Sequence, residues 1–376
     1  MQKVIWHVGA WSNNAGDRVL QAANTDILRE RYNGDLRFVY VNTQETYFSK
    51  QLIDKMNTEA DLLLIGGGGL IFHRPMDHSH SGWQLNIDLK NIDMIKVPIA
   101  VHGIGYNKFP YDTHVFPQSM WNSIQAVADK SEAFSVRDLG TYNAMKKYVN
   151  MDKIMVVPDA GMFVKAEPFY HQCLQNDKMK IGLNWASDRQ EQRFSSEKEA
   201  ELAMRTLLES CKTIVGKYDA KIYLIEHLLR NDTNYKTKDK LHKMAKDILG
   251  EDVVILYDKS NEELYPPFDY TAGFFANIYK QMHLVFGMRA HARLIPFSFG
   301  VPAIGIGEHN KVRWALQEME LERLLLKDIS NGYKIKRIVD DVIDNNQKYK
   351  LLMHKRKIVL NGKKDEFLSN VCKLIK

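Results

Sequence analysis

The stretch HLVFGMRAHARLIPFSFGVPAIGI, His283 to Ile306, reads as a strand over 283–287, a helix over 290–299 and a second strand over 301–306. Two short apolar runs joined by one helical pattern form a strand–helix–strand unit, whose strands pair in parallel. Arg289 and His291 stand where the first strand gives way to the helix. A polar pair at that point can cap the helix, or it can face a ligand beyond the strand end, and the pair alone does not decide between them.

The same alternation extends in both directions. Towards the N-terminus, strand runs are expected at 4–8, 36–41, 61–67, 97–104, 132–137 and 154–159, with helices near 16–32, 48–57, 115–129 and 138–148. Residues 161–178 turn polar and irregular and read as a linker. A second series follows, with strands at 180–186, 221–227, 252–258, 283–287 and 301–306 and helices near 197–217, 233–248, 271–281 and 290–299. About 45 charged, helical residues close the chain. This predicts an α/β protein of two Rossmann-like, doubly wound lobes, 1–165 and 178–330, with a helical tail over 331–376. Ligands of such sheets bind at the carboxyl ends of the strands, so one cleft between the lobes is expected.

A chain of 376 residues with 45% hydrophobic and 26% charged content is large enough for two cores. It contains no apolar run long enough to span a bilayer, and its start passes straight into a strand, leaving no room for a signal peptide. Three scattered cysteines argue for a reducing compartment, hence a cytoplasmic protein, with neither disulfides nor zinc. A formal charge of +6 suits an anionic partner. The basic stretches NYKTKDKLHKMAKD and HKRKIVLNGKKDE are interleaved with acids, so they read as solvated helix faces rather than a nucleic-acid footprint. Weak attraction to the acidic inner face of a membrane is compatible with them.

Several motifs fall at expected strand ends. WSNNAGDRVL places Asn14, Gly16 and Asp17 in a tight loop opening a helix, fit for capping and for an anion alike. IGGGGLIF supplies Gly66 to Gly69, where backbone can approach a ligand, but neither it nor VHGIGYNK satisfies the dinucleotide or P-loop patterns. HRPMDHSH collects His73, Asp77, His78 and His80 at spacings that match no zinc pattern, so no metal is expected and the loop reads as solvent-facing or acceptor-binding. In SVRDLGTYNAM, Asp138 reads as a helix cap and Arg137 as a partner for a carboxylate across the cleft. Asp159 in VVPDAG reads as a turn-former. Arg189, early in the second lobe, is placed to reach an anion, Arg193 reads as a surface charge, and Lys311 follows the last strand.

In this order and spacing, NNAGD, LLLIGGGGL, VHGIGY, SVRD, VPDAG and GMRAHARLIPFSFGVPAIGIGEHNK resemble the polysaccharide pyruvyl transferase family over roughly residues 5–315. The resemblance implies a bilobed fold like that of GT-B glycosyltransferases. It also implies transfer of an enolpyruvyl group from phosphoenolpyruvate to a sugar as a pyruvate ketal, with phosphate released. Under it, Arg289 and His291 are the catalytic pair, and Arg289, Lys311 and Arg189 bind the donor. Asn14, Asp17, Gly67, Gly68 and His102 line the acceptor side. Phosphoenolpyruvate is a co-substrate and no further cofactor is implied; the acceptor is a saccharide or lipid-linked saccharide. Two competing readings are a GT-B glycosyltransferase using a nucleotide sugar and a non-catalytic saccharide-binding subunit, because one fold hosts many chemistries.

Overall fold

Strand β1 (Lys3–Gly9) is nearly all apolar and buried along most of its length, as a strand covered by helices on both faces must be. It sits in a six-stranded parallel sheet with β2 (Leu36–Asn42), β3 (Leu62–Ile71), β4 (Ile99–Tyr106), β5 (Ala133–Val136) and β6 (Ile154–Val156). The order is β2-β1-β3-β4-β5-β6. A second parallel sheet holds β7 (Met179–Asn184), β8 (Ala220–Leu224), β9 (Val253–Ile255), β10 (Leu284–Gly287), β11 (Ala303–Ile306) and β12 (Leu325–Leu326). Its order is β12-β11-β10-β7-β8-β9. This computed structural model describes all residues except 1, 12–13, 76–77, 169, 171, 229–234, 257–271 and 376.

Helices flank both sheets. In the first lobe these are α1 (Ala15–Arg31), α2 (Lys50–Glu59), α3 (Leu89–Ile92), α4 (Gln118–Lys130) and α5 (Leu139–Met145). The second has α6 (Gln190–Arg193), α7 (Glu197–Tyr218), α8 (Tyr235–Leu249), α9 (Ala272–Lys280), α10 (His291–Ser298) and α11 (Asn310–Glu318). The tail is α12 (Gly332–Asp344) and α13 (Asn346–Leu374). Local chemistry sets several starts: Asn14, Asp138 and Ser196 each accept a backbone N–H of the helix they open.

Chain order reverses between β1 and β3 in the first sheet and between β7 and β10 in the second. These switch points open crevices at the carboxyl ends, and the segments that follow those strands become the two walls of one cleft. Helix α13, about 43 Å long at 1.5 Å per residue, returns to the first lobe. There Phe367 stacks on His102 at 5.1 Å and the Arg31 guanidinium donates to Ser369 Oγ at 2.7 Å.

Three details differ from the sequence reading. Segment 161–178 mixes exposed residues such as Lys165, Glu167 and Tyr170 with the buried Met162, Val164 and Leu174, and short 3-10 turns cover Ala160–Phe163 and Gln172–Leu174. The glycine run is not a loop, because β3 continues through it to Ile71. The short β12 and α6 answer to no expected run. Parts of the expected strand 252–258 and helices 233–248 and 271–281 lie outside the described residues.

Candidate functional site: a cationic cleft between the lobes

A cleft of about 890 Å³ lies between the two sets of strand ends. Its second-lobe wall includes Asp188, Arg189, Arg193, His227, Arg289, His291 and Lys311. Facing them across the first lobe are Asn14, Asp17, Gly69, Asn107, Phe109 and Arg137.

Arg289 follows β10 and is fixed by the last residue of β7. The buried Asn184 accepts the Arg289 backbone N–H at 3.1 Å and donates to Ile225 O at 2.8 Å, so the switch point itself aims the arginine. The Arg289 guanidinium pairs with Asp188, and Arg193 reaches the same carboxylate at 3.4 Å. Burial alone would raise the Asp188 carboxyl, but Arg289, Arg193, Arg189 and Lys311 outweigh it and hold the group well below the usual carboxylate range. Lys311 donates to Asn107 Oδ1 across the cleft at 2.9 Å. Burial, then Arg193, Arg137 and Arg289, push its ammonium well below the usual lysine value. Arg189 is exposed and lies over the Phe72 ring at 4.6 Å.

His291 opens α10 with its imidazole buried between two carboxylates. Its Nδ1 is 3.7 Å from Asp17 Oδ1 and its Nε2 is 4.0 Å from Asp159 Oδ2. Neither separation is a hydrogen bond. Burial, followed by Arg137, Lys311, Arg293 and Arg289, lowers the imidazole to about 3. His291 is therefore neutral at neutral pH. Asp159 is only 2% exposed and its carboxyl is raised by burial, against the opposing pull of Arg137 at 3.8 Å.

Beside His291 stands a second buried imidazole. His227, past the end of β8, shares a 2.5 Å hydrogen bond between Nε2 and the Tyr279 hydroxyl. Its value falls well below the usual one through burial, then Arg289, His291 and Arg293. The start of α1 is tied to the same point, since Ala15 N–H donates to His227 O at 2.7 Å.

Arg289, His291, Lys311, Arg189, Asn14 and Asp17, all singled out in the sequence, thus meet in one cleft. Gly67, Gly68 and His102 do not line it. A Cβ on Gly66 would fall 2.2 Å from His102 O, and one on Gly67 would fall 3.3 Å from Asn24 Nδ2. Those glycines let backbone and buried side chains pack closely, and only Gly69 reaches the cleft. His102 is 2% exposed beneath α13, with burial lowering its imidazole to about 3. Arg193 is no surface charge: its side chain is 6% exposed, and burial brings it to about 10, still protonated at neutral pH. Of the histidine-rich loop, His73 lines the cleft while His80 pairs with Asp88 at 2.8 Å; Asp77 lies outside the described residues. Sequence reading passed over Asp188, His227 and Phe109 and took Asp159 for a turn-former. His227 carried a usable signal, a histidine at the expected carboxyl end of a strand.

The family model for polysaccharide pyruvyl transferase matches residues 14–310. No curated protein matches the chain in sequence. Among solved structures, the S. aureus MnaA–UDP co-structure is similar with a TM-score of 0.57 at 12% identity, over 93% of this chain and 90% of that one. A Listeria monocytogenes protein named as a UDP-N-acetylglucosamine 2-epimerase gives 0.57 at 13% identity, over 94% and 91%. The UDP-forming trehalose-phosphate synthase of Burkholderia xenovorans gives 0.54 at 11% identity, over 98% of both chains. At these identities the likeness is one of fold, the two-lobed GT-B arrangement.

Proposed function

Because this chain belongs to the polysaccharide pyruvyl transferase family, we propose that it transfers the pyruvyl group of phosphoenolpyruvate to two hydroxyls of a sugar in a glycan precursor. The product is a ketal and inorganic phosphate. One observation carries this reading: Arg137, Arg189, Arg193, Arg289 and Lys311 line a single cleft that also holds His291. Phosphoenolpyruvate brings a phosphate and a carboxylate, and guanidinium groups match both in geometry and charge.

The chemistry divides among these groups. Arg289 and Lys311, with Arg189 and Arg193, hold the anion. A proton added to the methylene carbon of the donor makes a methyl group and leaves an oxocarbenium-like centre. The first sugar hydroxyl adds there and gives up its proton. The second hydroxyl then displaces phosphate, its proton leaving with the phosphate or to solvent. His291 is assigned the first proton. Otherwise neutral, it gains basicity as the bound anion offsets the surrounding cations, so donor binding itself favours its protonation. Atoms balance with donor and diol alone, so the reading calls for no cofactor.

Asn14 and Asp17 face the anion site from the first lobe and are assigned to the acceptor. No helix among the described residues is long and apolar enough to cross a membrane. A lipid-linked acceptor would be met at a membrane face, with the carrier outside the cleft.

The test is to incubate the protein with phosphoenolpyruvate and a panel of glycosides and follow both phosphate release and product mass. A product heavier by pyruvic acid less one water is expected. Nucleotide release from a sugar nucleotide, with no phosphate from phosphoenolpyruvate, would instead favour the glycosyltransferase reading. Saccharide binding with no turnover of either donor would favour a non-catalytic subunit.

A further inference from the structure

Phe109 enters the cleft from the first lobe, in the segment that follows β4. Around its ring stand three cations from the other lobe. Arg193 Cζ is 4.9 Å from the centroid, Lys311 Nζ 5.1 Å and Arg189 Cζ 5.3 Å. His309 packs edge-on against the same ring at 4.6 Å. Two residues further on, the Tyr111 N–H donates to Gln192 O at 3.2 Å, pinning this segment to α6, which Arg189 precedes and Arg193 ends. Phe109 is 4% exposed, yet it belongs to none of the three apolar clusters that form the cores.

Like charges brought together in a partly desolvated cleft repel one another, and something must hold them. Asp188 does so for Arg289 and Arg193, but a carboxylate also cancels charge that an incoming anion needs. An aromatic face acts differently. Its quadrupole attracts cations without neutralising them, so they are held in place and stay available. Because the ring and the cations come from opposite lobes, the arrangement exists only while the lobes are close.

We propose that Phe109 is a positioning residue that gathers Arg189, Arg193 and Lys311 into a preformed cage for a small oxyanion. That the oxyanion is the donor phosphate or carboxylate rests on the function proposed above; the cage itself does not.

The experiment titrates the wild type and four variants with inorganic phosphate and, separately, with phosphoenolpyruvate, by calorimetry. Phe109→Leu and Phe109→Met remove the π face while keeping an apolar side chain. Phe109→Tyr and Phe109→Trp keep it. The first two should bind both anions about tenfold more weakly, which corresponds to about 1.4 kcal/mol, with thermal midpoints close to wild type in the absence of anion. In turnover, KM for the donor should rise by a similar factor with kcat little changed. The aromatic variants should retain affinity. Wild-type affinity in both Leu and Met variants overturns the proposal, and so does equal weakening in all four, which would mean simple packing. Should the wild type bind phosphate but not phosphoenolpyruvate, the functional proposal fails and the Phe109 comparison still runs on phosphate. Binding of neither anion by the wild type would overturn the cage.

Discussion

His291 and Asp159 meet across the floor of the cleft, Nε2 to Oδ2 at 4.0 Å, with Arg137 3.8 Å from the same carboxylate oxygen. Asp159 follows β6 in the first lobe and His291 follows β10 in the second, so the pair exists only because the two sheets present their carboxyl ends to each other. Nε2 of His291 points to the buried acid, which leaves Nδ1 on the side of Asp17. Under the proposed chemistry the proton would pass from Nδ1, the nitrogen turned away from Asp159.

For His291→Ala, turnover should therefore fall by about 10²–10⁴-fold, the usual share of general acid–base assistance. Donor affinity should change much less, since cations hold the anion. Single-turnover rates for His291→Ala, with His309→Ala and His102→Ala alongside, separate the candidates. His102→Ala should leave the chemical step intact, because its ring lies under α13 against Phe367. Loss of the chemical step in His309→Ala or His102→Ala alone would remove His291 from the role.

Arg289→Ala should weaken donor binding by about 2–5 kcal/mol, roughly thirtyfold to several thousandfold. It removes the guanidinium and also strips Asp188 of one of its partners. Arg289→Lys should recover only part of the loss, since an ammonium cannot make the paired contacts of a guanidinium. Titration with phosphoenolpyruvate, alongside a thermal melt to show that the variant folds, measures both effects. Full recovery in the lysine variant would mean that charge alone matters here.

Much of this architecture was legible in the sequence because parallel strands covered on both faces read as short apolar runs. The runs 283–287 and 301–306 and the helix 290–299 correspond to Leu284–Gly287, Ala303–Ile306 and His291–Ser298. Arg289, His291 and Lys311 were legible for the same reason, standing just past a strand. What escaped notice depends on which strands become neighbours. Asp159 faces His291 only because β6 and β10 meet across the cleft, and Phe109 collects cations that lie at least 80 positions away in the chain. The glycine run misled because close backbone packing and ligand approach ask for the same residue, and here β4 lies against it.

Acid should destabilise the fold through histidines buried in the neutral form. Burial, the largest cause in each, lowers His7 to about 4 and His102 and His291 to about 3, against an ordinary 6.5. Between those values the unfolded chain binds protons that the folded one refuses, so stability rises with pH. The contribution is fully present above about 6.5 and is lost as pH falls towards the folded values. At about pH 5 the linkage relation gives a loss of roughly 2 kcal/mol for each group, whatever the folded value is once it lies well below 5. Urea midpoints at about pH 7.5 and about pH 5 should show the drop, and His102→Phe should shrink it. Midpoints that do not move would mean that these rings are protonated in the folded state.

Gly16 lies between the imidazoles of His227 and His291, and the space there admits no side chain. A Cβ at this position would sit 2.7 Å from His227 Nδ1 and 2.8 Å from His291 Nδ1. Its φ does not demand glycine, so the effect of Gly16→Ala is steric rather than conformational. Neither ring can yield freely, since His227 is held by Tyr279 at 2.5 Å and His291 is packed beside Asp159. The methyl group should therefore displace one or both rings. Misplacing reacting groups by about 1 Å costs on the order of a hundredfold in rate, while overpacking costs about 1–3 kcal/mol in stability. Gly216→Ala is the matched control: Gly216 lies within α7 with nothing within 4 Å of its added Cβ. Replacing a helical glycine by alanine should raise stability by up to about 1 kcal/mol and leave turnover unchanged. Turnover and thermal midpoints measured on the two variants together decide the matter. If Gly16→Ala turns over at the wild-type rate, the tight placement of the two imidazoles is not needed for the chemistry.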